Sequence, residues 1–267
     1  MKPGLQFQLD GDAAERYDAH SLALMAPFVA ALASEVGEGD AALDLACGTG
    51  YLTFAAAERA GASGRVVGVD VNQAMLDVAA RRLVPPTTLV RAPADAMPFA
   101  DAEFDVVVCQ QGLQFFPDLC AALTEIGRVL RPGGRLAATS WAPRGRSPYH
   151  EAQGQAARAA DPGHTDDSAP PAAFALTKQR FLQAATAAGL VHLAAEELTA
   201  DVVLPALPAF AAAHLTALPF GAEIARRAPD TIPVIAQAIT DSLSAYQTPE
   251  GFKVPFVSHL LTARKPR

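Results

Sequence analysis

Residues 42–50, Ala-Leu-Asp-Leu-Ala-Cys-Gly-Thr-Gly, constrain the chain more than any other stretch. A short apolar run carrying one acid, Asp44, ends in the turn Gly48-Thr49-Gly50, and a helix-compatible run from Tyr51 to Ala60 follows at once. This is a buried strand, a tight turn and a helix start in succession. Glycines there let the backbone bend sharply and let a ligand approach the main chain. The helix start offers unpaired N–H groups and a partial positive charge. A nucleotide-like cofactor is the natural occupant.

Strand and helix signals alternate after this unit. Arg65–Asp70 reads as a second strand ending in an acid, and Asn72 can cap a helix over Gln73–Leu83 that Pro85-Pro86 would stop. Thr87–Arg91 and the apolar run Phe104–Cys109 read as a third and a fourth strand. A helix from Asp118 to Leu130, a turn at Arg131-Pro132-Gly133-Gly134 and a fifth strand over Arg135–Trp141 follow. Such alternation predicts a parallel sheet with helices on both faces. Before it, residues 1–11 read as a loose tail. Residues 13–33 carry a helical pattern that Pro27 is expected to split in two. After Trp141 the regularity lapses. Pro148–Ala160 is predicted helical, 161–171 a polar loop, Thr177–Ala188 a helix and Leu190–Thr199 a strand. Residues 205–248 form a proline-punctuated helical stretch, and Phe252–Ala263 a closing strand. Late insertions of this kind are where a substrate cover is expected.

Composition limits the partners. Of 267 residues, 51% are hydrophobic, ample for a real core, and the formal charge is −7. That balance argues against nucleic acid, which needs a basic face. Cys47, Cys109 and Cys120 form no CxxC pair, so a reducing, cytoplasmic setting is expected. The N-terminus lacks an apolar signal core, and no uninterrupted apolar run is long enough to span a bilayer. No acidic cluster has the look of a metal site.

Asp70 stands 20 positions after Gly50, where an acid can accept hydrogen bonds from both ribose hydroxyls. Counting from Gly48, the sixth place of a dinucleotide fingerprint is Thr53 instead of glycine, which weighs against a nicotinamide cofactor. His150-Glu151 begins like a zinc-protease helix, but Gly154 stands where the second histidine belongs.

Five segments in order, Ala42–Gly50, Val66–Asp70, Ala94–Phe99, Phe104–Phe116 and Arg128–Gly134, resemble the successive motifs of class I S-adenosylmethionine-dependent methyltransferases. The nearest resemblance is to the small-molecule branch that includes ubiquinone- and menaquinone-type enzymes, and it covers residues 40–142 best. It implies an α/β, Rossmann-like, doubly wound seven-stranded sheet, mostly parallel with the last strand antiparallel, under late helical insertions that form a cover. The expected organisation is an N-terminal helical segment (1–40), a cofactor-binding domain (41–200 and 251–267, with an insertion at about 145–175) and a helical substrate lid (201–250). The resemblance also implies that Asp44, Gly48 and Gly50 face the methionine part of S-adenosylmethionine, and that Asp70 binds the ribose. Val71 and Met75 would pack on the adenine, Asp95 accept from its amino group, and the Ala96 N–H meet a ring nitrogen. Gln110 and Gln111 would border the methyl group, and Tyr17 fold over the cofactor.

Methyl transfer from a sulfonium is an in-line displacement with an activated donor, so alignment and exclusion of water are the protein's main tasks. No metal is expected. If the acceptor is a hydroxyl or an acidic carbon, a base helps; the candidates are His150, His214 and His259, with Tyr149 to orient one of them. The apolar stretch Ala206–Phe220 and Phe115-Phe116 would line a pocket for a small, largely apolar methyl acceptor, with S-adenosylhomocysteine as the other product. A nucleotide-linked oxidoreductase on the same sheet, and a protein that binds S-adenosylmethionine without transferring its methyl group, are the alternatives.

Overall fold

The computed structural model describes residues 9–82, 87–160, 171–204 and 206–267. The predicted tail lies mostly outside these residues, as do the Pro85-Pro86 stop and nearly all of the 161–171 loop. In chain order the elements are α1 (Gly11–Ala33), β1 (Ala41–Leu45), α2 (Tyr51–Ala60), β2 (Arg65–Asp70), α3 (Gln73–Ala79), β3 (Thr88–Arg91) and β4 (Phe104–Gln110). Then come α4 (Leu119–Val129), β5 (Leu130–Trp141), α5 (Pro148–Ala160), α6 (Pro171–Phe174), α7 (Lys178–Ala187) and β6 (Val191–Leu204). The chain closes with α8 (Leu207–Ala217), α9 (Pro219–Arg227), α10 (Thr231–Ser242), β7 (Gln247–Thr248) and β8 (Gly251–Arg264).

The strands form one sheet in the order β3-β2-β1-β4-β5-β8-β6, with the two-residue β7 paired to β8 as an eighth. Strands β1 to β5 run parallel, and β8 runs antiparallel between β5 and β6. The chain winds outward from β1 through β2 to β3, then returns to lay β4 on the other side of β1. The crevice beyond the carboxyl ends of β1 and β4 is therefore the switch point, where such sheets bind ligands.

Two cores sandwich the parallel part. Leu43, Leu45, Val67, Phe104 and Val107 pack on one face with Leu123 and Ile126 of α4 and Phe181 of α7. On the other face Ala42, Val66, Val106 and Val108 meet Val29 and Leu32 of α1 and Leu52 and Ala56 of α2. Strand alternation sends odd and even residues to opposite faces, so each strand is apolar on both. A further core joins α1, α5, α8 and α10 to the ends of β5, β6 and β8 through Phe28, Trp141, Tyr149, Leu215, Ile235 and Phe256.

Two local expectations are corrected. Pro27 does not divide the first helical segment; α1 is continuous across it. Leu24 and Phe28 on one turn and Val29 and Leu32 on the next are all buried, so packing holds the helix together despite the missing donor. Ala23, whose carbonyl loses that donor, is exposed to solvent. The Arg131–Gly134 turn does not precede the fifth strand but bulges from within it. Pairing shifts from Phe104–Leu130 to Val106–Arg135, and the bulge is held by the Gly133 N–H on the carbonyl of Lys265 (3.1 Å). In addition, β6 runs to Leu204, so its last four residues fall in the segment assigned from sequence to the helical insertion.

Candidate functional site

The carboxyl ends of β1 to β5 open into one cavity of about 480 Å³. Gly48, Asp70, Val71, Met75 and Asp95 line it on the β2–β3 side; Gln110 and Gln111 lie in the middle; Trp141, His150, Gln153, Phe174, His214 and Phe220 line it on the β5–β8 side. Helix α1 contributes Tyr17, Leu24 and Met25.

The glycine turn builds the first end. Gly48 and Gly50 both have positive φ (53° and 84°), and a Cβ on Gly50 would stand 3.0 Å from Ala79 Cβ. The Gly48 N–H donates to Asp70 Oδ2 (2.9 Å), and the Asn72 N–H to Asp70 Oδ1 (2.8 Å). Each carboxylate oxygen keeps acceptor capacity for a ligand hydroxyl. Burial raises the Asp70 pKa, and the Asn72 and Gly48 donors work against that rise.

Asp44 is fully buried at the centre of the sheet, beside Gly68 of β2 and Val108 of β4. Its Oδ2 accepts from the Thr53 hydroxyl at 2.6 Å, while Oδ1 has no partner. Burial pushes its pKa up to about 7, and the Thr53 bond opposes the rise. Asp44 lines a small recess of about 60 Å³ that shares Tyr17, Gly48 and Gln110 with the main cavity. An orphaned, buried carboxylate oxygen is costly unless a donor or cation meets it. Thr53 therefore has a positive role that the fingerprint count missed. Gly68 makes room for it: a Cβ there would lie 3.0 Å from the Thr53 hydroxyl and 3.1 Å from Cys47 Sγ.

Val71 is 43% exposed for an apolar side chain, and Met75 beside it is buried. Asp95 is exposed on the cavity wall, whereas Ala96 is not in that wall and its N–H donates to the Pro93 carbonyl (3.3 Å). Tyr17 lines the cavity from α1, its hydroxyl pKa pushed up to about 12 by burial and by Asp70. Gln110 donates to the Met25 carbonyl of α1 (3.1 Å). Gln111 adopts a positive φ of 52° and donates to Ser258 Oγ (2.8 Å). A non-glycine residue held in that region beside a cavity marks a place where structure overrides local preference.

The three histidines separate. His150 and His214 both line the cavity; His259 does not. Ser258 faces Gln111, so its neighbour on β8, His259, points to the other face of the sheet. Burial lowers His150 to about 3, helped by His214 and Arg144, and lowers His214 to about 4, helped by His20. The Tyr149 hydroxyl lies 3.1 Å from His214 Nδ1, and Gln153 Nε2 lies 3.4 Å from it. Among the described residues no group of three or more His, Cys, Asp or Glu side chains is placed to hold a metal, and no helix is long and apolar enough to cross a membrane.

The family described as a methyltransferase domain matches residues 43–138, the stretch from β1 to β5 that builds the glycine turn, Asp70 and the Gln110-Gln111 corner. Over this stretch the chain resembles a methyltransferase domain. A demethylmenaquinone methyltransferase from Lactobacillus johnsonii is 44% identical over 107 residues, which are 38% of this chain and 44% of that protein. The match thus spans less than half the length of this relative. The YcgJ protein from Bacillus subtilis superposes with a TM-score of 0.55 at 21% identity, covering 93% of this chain and 99% of that one. A phosphoethanolamine N-methyltransferase from Haemonchus contortus, solved with phosphomonomethylethanolamine and S-adenosylhomocysteine, gives 0.52 at 18% identity over 87% of this chain and 49% of that one. Both share the fold of the methyltransferase domain and of the elements packed around it.

Proposed function

We propose that the chain transfers a methyl group from S-adenosylmethionine to a small, largely apolar molecule at O, C or N. One observation carries this reading: a single cavity joins the methyltransferase-domain residues at the β1–β2 strand ends to an aromatic wall made by Trp141 at the end of β5, Phe174 of α6 and Phe220 of α9. The Asp44 recess fits the charged amino group of the cofactor, because Oδ1 is buried and unpartnered there. Asp70, already fixed by two backbone donors, presents its remaining lone pairs to the ribose hydroxyls. Val71 and Met75 offer an apolar face for the adenine, and Asp95 an acceptor for its amino group. Gly48 and Gly50 keep side chains away from the methionine portion, and Tyr17 covers it from α1. Bound there, the sulfonium supplies an activated methyl group, and the protein's work is to align the acceptor and exclude water.

Trp141, Phe115, Phe116, Phe174 and Phe220 make the acceptor end apolar. The Lactobacillus relative, named for demethylmenaquinone, supports an apolar acceptor of small-molecule size. Incubation with methyl-labelled S-adenosylmethionine and reduced demethylmenaquinone, naphthols, phenols and aromatic amines tests the reading. It predicts labelled product and S-adenosylhomocysteine with at least one apolar acceptor. Tight cofactor binding with no turnover across the panel would favour a binding protein without transferase activity.

A further inference from the structure

The β5–β8 end of the cavity holds two buried histidines, and one of them is anchored. His214, on α8, has its Nδ1 engaged by Tyr149 and Gln153 of α5. The Tyr149 side chain is fully buried, does not line the cavity, and touches His214 at 5.6 Å between ring centroids. The phenol thus serves the imidazole instead of a ligand. His150 has no such anchor: its Nδ1 is buried without a partner, and its ring packs against those of Trp141, Phe174 and Phe256.

We propose that His214 takes the proton from the methyl acceptor, with Tyr149 as its positioning residue, and that the attacking atom is therefore a hydroxyl oxygen or an enol-type carbon. The proposal rests on the methyl-transfer reading. With Nδ1 anchored, Nε2 is the nitrogen left for a ligand. A hydroxyl anchor can donate to a bare Nδ1 or accept from a protonated one, so Tyr149 holds the ring before and after it gains a proton. In the step, His214 Nε2 accepts the acceptor's proton as the electron pair of the attacking oxygen or carbon forms the bond to the methyl carbon. The carbon–sulfur bond breaks with its pair on sulfur, which becomes a thioether. One positive charge enters the step on sulfur and leaves it on the imidazole. The cavity's net charge does not change, so the burial that keeps His214 neutral in the free protein does not oppose the step in full.

The surroundings agree with a resting neutral base. The titratable groups that act on or touch His214 are His20 of α1 and Tyr149 and His150 of α5; Asp118, Arg144 and Arg158 stand elsewhere in the cavity wall. Glu223, Arg226, Arg227 and Asp241 of α9 and α10 keep their side chains at the surface. Asp118 lines the cavity beside Phe116, but no carboxylate is among the groups that shift His214, so burial leaves it neutral at pH 7 and able to accept.

The test needs no acceptor. Nitrogen-15 spectra of the imidazoles are recorded from pH 2.5 to 7 on the full chain, saturated in turn with S-adenosylmethionine and S-adenosylhomocysteine. His214→Gln and His150→Gln assign the signals. The two ligands differ by one methyl group and one charge. His214 is expected to titrate about one pH unit lower with the sulfonium bound, as a unit charge a few ångströms away through partly screened protein requires. Tyr149→Phe is expected to change the His214 tautomer ratio while leaving S-adenosylhomocysteine affinity within twofold. Identical His214 titrations in the two complexes, or a response confined to His150, would overturn the assignment. Failure of both ligands to saturate the protein would instead remove the methyl-transfer reading, and the proposal with it.

Discussion

Asp44 and Thr53 set the chemistry of the cofactor end at the residue scale. Burial raises the folded-state pKa of Asp44 to about 7, above the ordinary value of 3.8 that it keeps in the unfolded chain. Between those values the folded protein holds a proton that the unfolded chain has released, so stability falls as pH rises through that window. Urea denaturation of the ligand-free protein across pH 4–8 is expected to show this fall, and Asp44→Asn to flatten it. A ligand ammonium favours the carboxylate and reverses the preference. S-adenosylhomocysteine affinity is therefore expected to rise from pH 5.5, by up to about tenfold per unit, and to level off above 7. Calorimetry in buffers of different ionisation enthalpy should detect the released proton. None of this was legible in the motif. Asp44 could be read as a cofactor acid from its place before the glycine turn, but Thr53 registered only as a missing glycine. Its bond to Asp44 depends on Gly68, a residue of the neighbouring strand with no cofactor role, whose lack of a side chain lets α2 approach the sheet.

Among the elements, α1 depends on a clamp that sequence periodicity does not reveal. Arg82, just past α3, donates to both carboxylate oxygens of Asp18 (2.9 and 2.7 Å) and to the Thr49 carbonyl (2.6 Å), and lies 3.9 Å over the Tyr51 ring. One side chain thus ties α1, the glycine turn and the start of α2. Arg82→Ala is expected to weaken S-adenosylhomocysteine binding about tenfold, the loss of a charge-assisted bond, and to speed amide exchange in residues 11–20. Unchanged exchange there would show that α1 is held by its apolar face alone. The continuity of α1 across Pro27 has the same origin as the clamp. Local preference predicted a break, but tertiary packing on both sides of the proline outweighed it. The bulge in β5 was equally hidden, because Pro-Gly-Gly reads as a turn wherever it stands and only pairing with β4 and β8 places it inside a strand.

For the whole molecule, the parallel sheet was legible and the acceptor end was not. Strands β1 to β5 are local apolar runs punctuated by acids and glycines, and their alternation with helices determines the winding. The acceptor end is assembled from α5, α6, α8, α9 and the end of β5; Tyr149 and His214 meet across 65 positions of sequence. No local pattern encodes such a meeting, and it also left His259 indistinguishable from its two cavity-lining counterparts. The core under that end is a structural requirement of the cover. Ile235 is fully buried in it, and Ile235→Ala is expected to cost about 2–5 kcal/mol in chemical denaturation. If this core and the sheet unfold together, the loss appears in one transition followed alike by far-ultraviolet circular dichroism and by the emission of the lone Trp141, which packs in it.

The central claim is that the cavity at the β1–β4 switch point takes S-adenosylmethionine. Calorimetric titration of the full chain with S-adenosylhomocysteine and, separately, with NADH tests it most directly, with Asp70→Ala as the paired variant. On the proposed reading Asp70 accepts from both ribose hydroxyls, so its loss is expected to weaken S-adenosylhomocysteine binding 10- to 100-fold, about 1.4–2.8 kcal/mol, while NADH gives no saturable heat in either protein. Saturable binding of NADH with none of S-adenosylhomocysteine would contradict the account and assign the glycine turn to a dinucleotide.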